Sequence, residues 1–205
     1  MITIIDYKAG NFRSIENMLK RLGVESHFTD KVDEIESADR LILPGVGHFD
    51  HGMQKLKESG LIEVLNKKVL TGKTPILGIC LGAQLMTESS EEGVEPGLGW
   101  IKGKTLKFQK LTLPESHKIP HMGWTDVQAA PMKKLTSGLN EDTRFYFVHS
   151  FYMSLEEQNQ VLFKAKYGHD FHAGFEHENI FGVQFHPEKS HLFGMALLKN
   201  FAELK

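Results

Sequence analysis

The chain has 205 residues, of which 40% are hydrophobic and 24% charged, as is typical of a soluble globular protein. We expect one domain over residues 1–205. The net charge of −2 indicates no attraction to nucleic acid or to an anionic membrane. No apolar run approaches the roughly 18 residues of a membrane span. A single cysteine excludes an internal disulfide and, without a signal-peptide pattern, favours the cytoplasm. The histidines show no metal-binding spacing, so no metal is predicted.

Strands and helices alternate through the first half of the sequence. Ile2–Asp6 predicts a strand, and Asn11 is expected to cap a helix that Gly23 ends. Helical segments are also expected up to Leu70 and from the cysteine to about Ser90. Further strands are predicted at Val24–Thr29, Arg40–Leu43 and Ile76–Ile79. This alternation predicts parallel strands that bind ligands at their carboxyl ends.

The second half contains short strands with antiparallel character. They are predicted at Lys104–Leu113, Arg144–Val148, Val161–Tyr167, Ala173–Glu176 and Ile180–Phe185. Residues 177–179 predict a hairpin turn, and Ser190 is expected to cap a last helix with Leu192 on its buried side. The predicted fold class is therefore α/β. We expect a mostly parallel open sheet flanked by helices, with antiparallel strands added in the C-terminal half.

Cys80 lies where an apolar run meets a helix-forming segment, between Gly78 and Gly82. Glycines on both sides allow the backbone to turn sharply and leave one side chain exposed at the tip. The N-terminus of a helix also stabilises a thiolate, which is the nucleophilic form of cysteine. A lone cysteine is more often a small buried hydrophobe, but the flanking glycines favour a nucleophile.

A cysteine nucleophile needs a base, and this base needs an orienting partner. Phe185-His186-Pro187-Glu188 directly follows a predicted strand, at the sheet edge that binds ligands in this architecture. His186 could act as the base and Glu188 could orient its imidazole. Alone, this segment is weak evidence, because a surface loop with a His and a Glu would also explain it. Together with the turn at Cys80, it is strong evidence for a Cys–His–Glu triad.

Acyl transfer also needs N–H donors for the oxyanion. The N–H of Leu81 is one candidate. Pro44-Gly45-Val46-Gly47 ends the third predicted strand, and its glycines allow the N–H groups of Val46 and Gly47 to turn inward. A tight turn from strand to helix explains the same segment equally well.

Together these residues resemble the class I (triad) glutamine amidotransferases. Their nucleophile motif matches Gly78–Gln84, their histidine motif matches Phe185–Glu188, and their oxyanion strand matches Pro44–Gly47. The resemblance covers essentially the whole chain and implies a flavodoxin-like fold with no cofactor. It implies that Cys80 attacks the side-chain amide of L-glutamine. Ammonia then leaves with a proton from His186, and water releases glutamate from the thioester.

Within this class, the chain is similar to the glutaminase subunits that serve imidazole glycerol phosphate synthesis. The segments that carry this likeness are Ile5–Asn11, Glu88–Gly93, Pro120–Trp124 and Tyr146–Tyr152. The resemblance implies that Gln84 and Glu92 hold the amino-acid head of glutamine, and that Gly47 and the backbone near Ser150 line the pocket. A carboxylate at Glu92 suits an ammonium group.

The resemblance also implies a partner, a cyclase subunit with a (β/α)8 barrel that receives the ammonia in a heterodimer. The implied docking residues are Asn11, His121, Met122, Trp124, Tyr146 and Lys189. From the sequence alone, Met122 and Trp124 fit a core slightly better than an interface. Thr125, Phe151 and His191 depart from residues common in the family, which bears on docking contacts and not on the triad.

Other functions remain open at this point. They are a triad glutaminase subunit of another synthase, a non-catalytic subunit that docks on and regulates a partner, and a thiol esterase or peptidase. The intact Cys80, His186 and Glu188 argue against the non-catalytic subunit. We also expect the isolated chain to be a poor glutaminase, because the peptide at Gly45–Gly47 can hold its N–H away from the oxyanion until the partner is loaded.

Overall fold

The computed structural model describes residues 1–10 and 12–204, so the predicted helix cap Asn11 lies outside the described residues. These residues form twelve strands and six α-helices, besides short 3-10 and π turns. The strands are β1 (Ile2–Ile5), β2 (Ser26–Thr29), β3 (Arg40–Gly45), β4 (Ile76–Cys80), β5 (Ser89–Ser90), β6 (Gly103–Lys107), β7 (His121–Ala129), β8 (Arg144–His149), β9 (Phe151–Leu155), β10 (Val161–Tyr167), β11 (His169–His177) and β12 (Ile180–Val183). The helices are α1 (Phe12–Arg21), α2 (Val32–Glu36), α3 (Phe49–Glu58), α4 (Ile62–Asn66), α5 (Leu81–Leu85) and α6 (His191–Ala202).

The sheet has a parallel part and an antiparallel part. Its main path runs β2-β1-β3-β4-β12-β11-β10-β7-β8, and β9, β6 and β5 branch from β11. The first five strands of this path are parallel, and β11, β10, β7 and β8 are antiparallel to their neighbours. The predicted fold class is confirmed. β12 belongs to the parallel part although it comes late in the sequence, so β4 and β12 end at the same edge of the sheet.

The central strands of the parallel part, β1, β3, β4 and β12, are buried on both faces. In β3, Ile42 packs into one hydrophobic cluster, whereas Leu41 and Leu43 pack into a second cluster on the other face. Side chains alternate between the faces of a strand, and a central parallel strand is covered by helices on both sides. This explains why β3 and β4 are nearly continuous apolar runs, with only their carboxyl ends open to a ligand.

The helix after Cys80 is shorter than predicted. It ends at Leu85 and not near Ser90. The hydroxyl of Thr87 donates to the carbonyl of Gln84 at 2.8 Å and so competes with a further helical turn. The chain then continues into β5, which pairs with β6.

Ser190 lies at the N-cap position predicted for the last helix, but its side chain does not cap it. The hydroxyl of Ser190 makes no capping bond. It donates to the carbonyl of His186 at 2.6 Å and accepts from the N–H of Tyr146 at 2.9 Å. The buried position predicted for Leu192 is also wrong, because its side chain is 77% exposed. The Ser190 hydroxyl therefore links the loop after β12 to β8 instead of capping α6, whereas the Ser190 carbonyl accepts the N–H of Gly194 at 3.1 Å.

Candidate active site

The sharp turn predicted at Cys80 is confirmed. Cys80 ends β4 with φ 53° and ψ −113°, a region that residues with a side chain rarely adopt. The flanking glycines allow the turn to pack closely. A Cβ at Gly82 would collide with the carbonyl oxygen of Leu43, and one at Gly78 would lie 2.7 Å from the Cα of Ala83. The thiol is therefore held at the edge of the sheet by a turn that larger residues would disrupt.

His186 follows β12, and a carboxylate holds its ring. Nδ1 of His186 donates to Oε1 of Glu188 at 2.8 Å, and both side chains are 3% exposed. Burial acts to lower the pKa of His186, but the interactions with Cys80 and Glu188 outweigh it and raise the pKa to about 10. The arrangement therefore favours a protonated imidazole beside the Cys80 side chain.

The other ring nitrogen of His186, Nε2, is buried and has no hydrogen-bond partner of ordinary geometry among residues 1–10 and 12–204. The thiol of Cys80 is nevertheless close enough to raise the pKa of this ring. Nucleophile and base are often held loosely until a substrate binds. Nε2 is thus available for a proton that moves between Cys80 and a ligand.

One cavity of about 360 Å³ collects most of the predicted residues. It is lined by Val46, Gly47, Cys80, Leu81, Gln84, Glu92, Pro120, Val148, His149, Ser150, Phe151, His186 and Lys189. The candidate nucleophile, base, oxyanion donors and glutamine ligands all lie on its walls, whereas Glu188 supports the base from behind. Pro120, Val148, His149 and Phe151 are lining residues that the sequence does not single out as ligands.

The predicted oxyanion loop is in a conformation that withholds a donor. The N–H of Val46 donates to the carbonyl of Ala9 at 3.0 Å. Tyr7 anchors the same loop, since its hydroxyl donates to the carbonyl of Pro44 at 2.7 Å. Val46 is a predicted oxyanion donor, and in this structure its N–H is engaged elsewhere. Gly47 has φ 106°, which glycine adopts without strain and residues with a side chain rarely do. It also lines the cavity.

Leu81 is better placed to donate. It directly follows Cys80 and is the first residue of α5, so its N–H is one of the amides that have no acceptor within the helix. It also lines the cavity. Leu81 therefore remains the candidate donor that needs no backbone rotation.

Two glutamine side chains connect the cavity wall to the thiol. Nε2 of Gln84 donates to the carbonyl of Phe151 at 3.0 Å and to Oε1 of Gln184 at 3.1 Å. Nε2 of Gln184 in turn lies 3.8 Å from Sγ of Cys80 and donates to it. Because the amide nitrogen of Gln84 is fully used, only its oxygen can serve a ligand, and an oxygen suits an ammonium group. Sequence reasoning missed Gln184, although a polar residue between Val183 and Phe185 is a signal in the sequence.

Glu92 is fixed by the start of α3. Its Oε2 accepts the N–H of Phe49 at 2.8 Å. No hydrogen bond reaches its other oxygen, Oε1, within the part of the chain that the structure describes. Glu92 lines the cavity, so this oxygen is available to a cation bound beside Cys80.

A chain of three side chains runs from the cavity wall to β7. Nδ1 of His149 lies 2.7 Å from the carbonyl of Phe151, which can only accept, so Nδ1 carries the proton. His149 Nε2 must then accept from Nδ1 of His121 at 2.9 Å, and Nε2 of His121 accepts from the hydroxyl of Thr125 at 2.8 Å. Burial lowers the pKa of His149 to about 3 and that of His121 to about 4. Both rings are therefore neutral and hold the Phe151 backbone in place.

His121, a predicted docking residue, is buried within this chain. The residue is 2% exposed and faces inward from β7, whereas Met122 and Trp124 point to the opposite face and are 61% and 44% exposed. Successive side chains of a strand alternate between its faces. The inward position explains why His121 bonds to His149 and Thr125.

Met122 and Trp124 form an exposed surface with two other predicted docking residues. Trp124 pairs with Tyr146 across the strands, and their rings are 6.3 Å apart. The Nζ of Lys189 lies 5.9 Å from the ring centre of Tyr146, and Lys189 also lines the cavity. This surface therefore continues to the rim of the active-site cavity. Asn11, the last predicted docking residue, is not among the described residues.

Neither a metal site nor a membrane span was found in the region that the structure describes. Residues 1–10 and 12–204 contain no group of three or more His, Cys, Asp or Glu side chains arranged to hold a metal ion. None of the helices in these residues is long and apolar enough to cross a membrane.

Comparison with known proteins gives the family. Residues 3–204 match the family described as "Glutamine amidotransferase class-I". The chain is 49% identical over its whole length to "Imidazole glycerol phosphate synthase subunit HisH 2" of Pseudomonas aeruginosa, with all of that protein covered. It is 52% identical to the protein of the same name from Methanococcus maripaludis, over 98% of both chains.

Solved structures show the same fold at lower identity. A chain of PurLQS from Thermotoga maritima superposes with a TM-score of 0.71 at 20% identity, over 98% of this chain and 96% of that one. The glutaminase domain of a Trypanosoma brucei CTPS superposes with a TM-score of 0.67 at 14% identity, over 100% of this chain and 94% of that domain.

The matching family, the elbow at Cys80 and the mixed sheet together define the class of protein: the chain belongs to the class I glutamine amidotransferases. Within that class, its full-length relatives place it in the HisH family of imidazole glycerol phosphate synthase subunits.

Proposed function

We propose that this chain is the glutaminase subunit of imidazole glycerol phosphate synthase in histidine biosynthesis. It hydrolyses L-glutamine to glutamate and ammonia and delivers the ammonia to a cyclase. One observation carries the chemistry: Cys80 ends β4, His186 follows the carboxyl end of the adjacent parallel strand β12, and both line one cavity, with Glu188 behind the imidazole. Membership of the HisH family supports glutamine as the substrate.

The reaction follows from these positions. The Cys80 thiolate attacks the side-chain carbonyl carbon of glutamine, and the carbonyl oxygen becomes an oxyanion near the N–H of Leu81. The C–N bond breaks as protonated His186 gives its proton to the leaving nitrogen, which yields ammonia and a glutamyl thioester. Neutral His186 then takes a proton from water, and the resulting hydroxide attacks the thioester. Glutamate leaves, and the thiolate and imidazolium are restored.

Substrate recognition uses acceptor atoms on one wall of the cavity. Oε1 of Glu92 and the amide oxygen of Gln84 both accept, as an ammonium group requires. The backbone around Ser150, which the His149–His121 pair supports, lies at the same wall and would receive the α-carboxylate. This set selects an α-amino acid, which argues against a general thiol esterase.

The partner we propose is a cyclase subunit with a (β/α)8 barrel. Exposed Met122 and Trp124 supply an apolar surface that continues to the cavity rim through Tyr146 and Lys189. Apolar and aromatic residues of this kind are enriched in the cores of interfaces. A closed interface would keep ammonia away from water, which would otherwise protonate it. The chain would act as one domain in the cytoplasm, without cofactor or metal.

The direct test is reconstitution with a cyclase subunit of this family. Glutamine-dependent formation of imidazole glycerol phosphate is expected with the natural chain. Cys80→Ala should abolish that activity and leave synthesis from added ammonium salt intact. A histidine auxotroph that lacks its own glutaminase subunit provides a second test. Complementation would show that the chain serves imidazole glycerol phosphate synthase and not another synthase. Failure to complement, with glutaminase activity intact, would favour the other synthase.

A further inference from the structure

The first turn of α3 binds the segment that carries Glu92. Oδ2 of Asp50 accepts the N–H of Val94 at 3.1 Å, and Oδ1 accepts the N–H of Glu95 at 2.9 Å. These two bonds lower the pKa of the Asp50 carboxyl, so the group is ionised and both its oxygens accept. A single side chain therefore fixes two successive peptides of a loop that has no secondary structure of its own.

The same carboxylate leaves no room for a side chain at Gly93, the residue between Glu92 and Val94. A Cβ at Gly93 would collide with the Asp50 carboxylate. Lys57, at the far end of α3, pairs with Glu95, so the loop is tied to the helix at a second point. Residues 92–95 thus lie against α3 along its length and are not merely adjacent to it.

This clamp acts on a group that faces the cavity. Glu92 directly precedes Gly93, and its Oε2 accepts the N–H of Phe49, the residue before Asp50. Phe49 and Asp50 together make three hydrogen bonds to residues 92–95. Without Asp50, only the bond from Phe49 to Glu92 and the Lys57–Glu95 ion pair would hold the loop against α3, and the Glu92 carboxylate would sample other directions.

We propose that Asp50 is a positioning residue for the substrate's ammonium group, because it clamps residues 92–95 onto α3 and so aims Oε1 of Glu92 into the cavity. This inference rests on the proposed function, in which Glu92 binds the α-ammonium of glutamine. Asp50 itself does not line the cavity, so its effect must pass through Glu92.

The test measures binding in a Cys80→Ala background, where glutamine is not consumed. Calorimetry gives Kd for L-glutamine and for 4-carbamoylbutanoate, the same molecule without its α-amino group. Asp50→Asn should weaken the binding of glutamine about tenfold, since it loosens one charge-assisted contact. The binding of the deamino compound should be unchanged, because that compound has no ammonium for Glu92 to hold.

Two further variants make the test specific. Asp33→Asn removes the same charge from the first turn of α2, away from the cavity, and should not change either Kd. Asp50→Asn combined with Glu92→Gln should bind glutamine no more weakly than Glu92→Gln alone, because the two act through one contact.

Gly93→Ala provides a second perturbation that leaves Asp50 in place. Its methyl group should displace the loop and weaken glutamine binding selectively, as Asp50→Asn does. The loss of glutamine binding that Gly93→Ala causes should be smaller in an Asp50→Ala background, where the colliding carboxylate is absent, than in the natural background. This variant also serves if Asp50→Asn does not fold.

The outcomes separate the inference from the function. Unchanged binding of glutamine in Asp50→Asn, equal losses for both ligands, or additive effects with Glu92→Gln would each overturn the inference and leave the proposed function standing. If the Cys80→Ala parent does not bind glutamine at all, the proposed function fails and the inference fails with it.

Discussion

The backbone N–H of Val46 donates to the carbonyl oxygen of Ala9 at 3.0 Å. This bond ties the loop after β3 to the loop after β1, two parallel neighbours in the sheet. An N–H engaged in this way cannot stabilise an oxyanion at Cys80. The Gly45–Val46 peptide must rotate before Val46 can donate, and the adjacent glycines make that rotation possible.

We therefore expect the isolated chain to hydrolyse glutamine slowly. Adding the cyclase subunit with its ligand should raise kcat by on the order of 10²–10³, the usual contribution of one oxyanion donor. Glutamate release, measured with and without the partner, checks this. Val46→Ala keeps the N–H and should still be activated, whereas Val46→Pro lacks it and should not be. Full turnover by the chain alone, or normal activation of Val46→Pro, would contradict the assignment.

Glu188 is expected to act on catalysis and not on substrate binding. Glu188→Gln removes the charge that holds the His186 imidazolium at 2.8 Å, so the pKa of His186 should fall. We expect kcat to fall by about 10²–10⁴-fold, the range of general acid–base catalysis, with KM for glutamine little changed. Steady-state kinetics measure both constants. The matched variant Glu91→Gln alters an exposed neighbour of Glu92 and should retain kcat. A rise in KM alone in Glu188→Gln would indicate a binding role instead.

Gln184 should help to activate the thiol, because its Nε2 donates to Sγ of Cys80 at 3.8 Å. Gln184→Leu keeps the approximate volume and removes the donor. A hydrogen bond to a charged group contributes about 1.5–3 kcal/mol, so the alkylation of Cys80 by iodoacetamide should slow by about tenfold or more. The rate at pH 7 is measured by mass spectrometry. Gln128→Leu, at an exposed position of β7, is the control. Equal rates in the natural chain and Gln184→Leu would show that the donor does not matter.

The histidine pair predicts specific tautomers. Both His121 and His149 should carry their proton on Nδ1, since the carbonyl of Phe151 sets the direction of the whole chain of bonds. Nitrogen-detected NMR of histidine-labelled protein should show two neutral Nδ1–H rings that do not titrate between pH 5 and 8. A charged ring or an Nε2–H tautomer in that range would contradict the chain of bonds.

Three buried histidines make the free energy of unfolding depend on pH. His121 and His149 lower stability in acid, and His186 lowers it in base. The pKa values of His121 and His149 are lowered to about 4 and 3, so the unfolded state binds more protons below pH 6.5 and stability falls from there down to those values. The pKa of His186 is raised to about 10, so its contribution is fully present below pH 6.5 and is lost as pH rises toward 10. Urea unfolding across this range checks both. A free energy of unfolding that does not change from pH 4 to 6.5 would contradict the first statement.

Much of the parallel half could be predicted from the sequence, because its central strands are buried on both faces and its turns carry glycines. The predicted ends of β1, β3 and β4 lie within two residues of the observed ends. The sequence does not predict β7 and β9, because their side chains are only partly buried and their apolar pattern is irregular. The helix predicted after Cys80 is too long, because the sequence does not show that the hydroxyl of Thr87 bonds to the carbonyl of Gln84 and ends the helix.

The candidate site was predictable where chemistry limits the choice of residue. Cys80, His186 and Glu188 are residue types that a triad needs, in segments that leave a sheet at its ligand edge. Gln184 and His149 carry a weaker signal. Gln184 is a polar residue between two apolar ones, but its partners Gln84 and Cys80 lie on other elements of the fold. His149 bonds to nearby Phe151, but its bond to His121 on another strand appears only in the structure. The bond between Val46 and Ala9 joins loops far apart in the chain and could only be found in the structure.

The most direct measurement is to trap the covalent intermediate. The chain, activated by its cyclase partner, is mixed with L-glutamine and quenched in acid during turnover. It is then digested, and the masses of its peptides are measured by mass spectrometry. We predict a glutamyl adduct on the peptide that contains Cys80, and no adduct in Cys80→Ala. Steady glutamate release by Cys80→Ala, or an adduct on any other residue, would contradict the account.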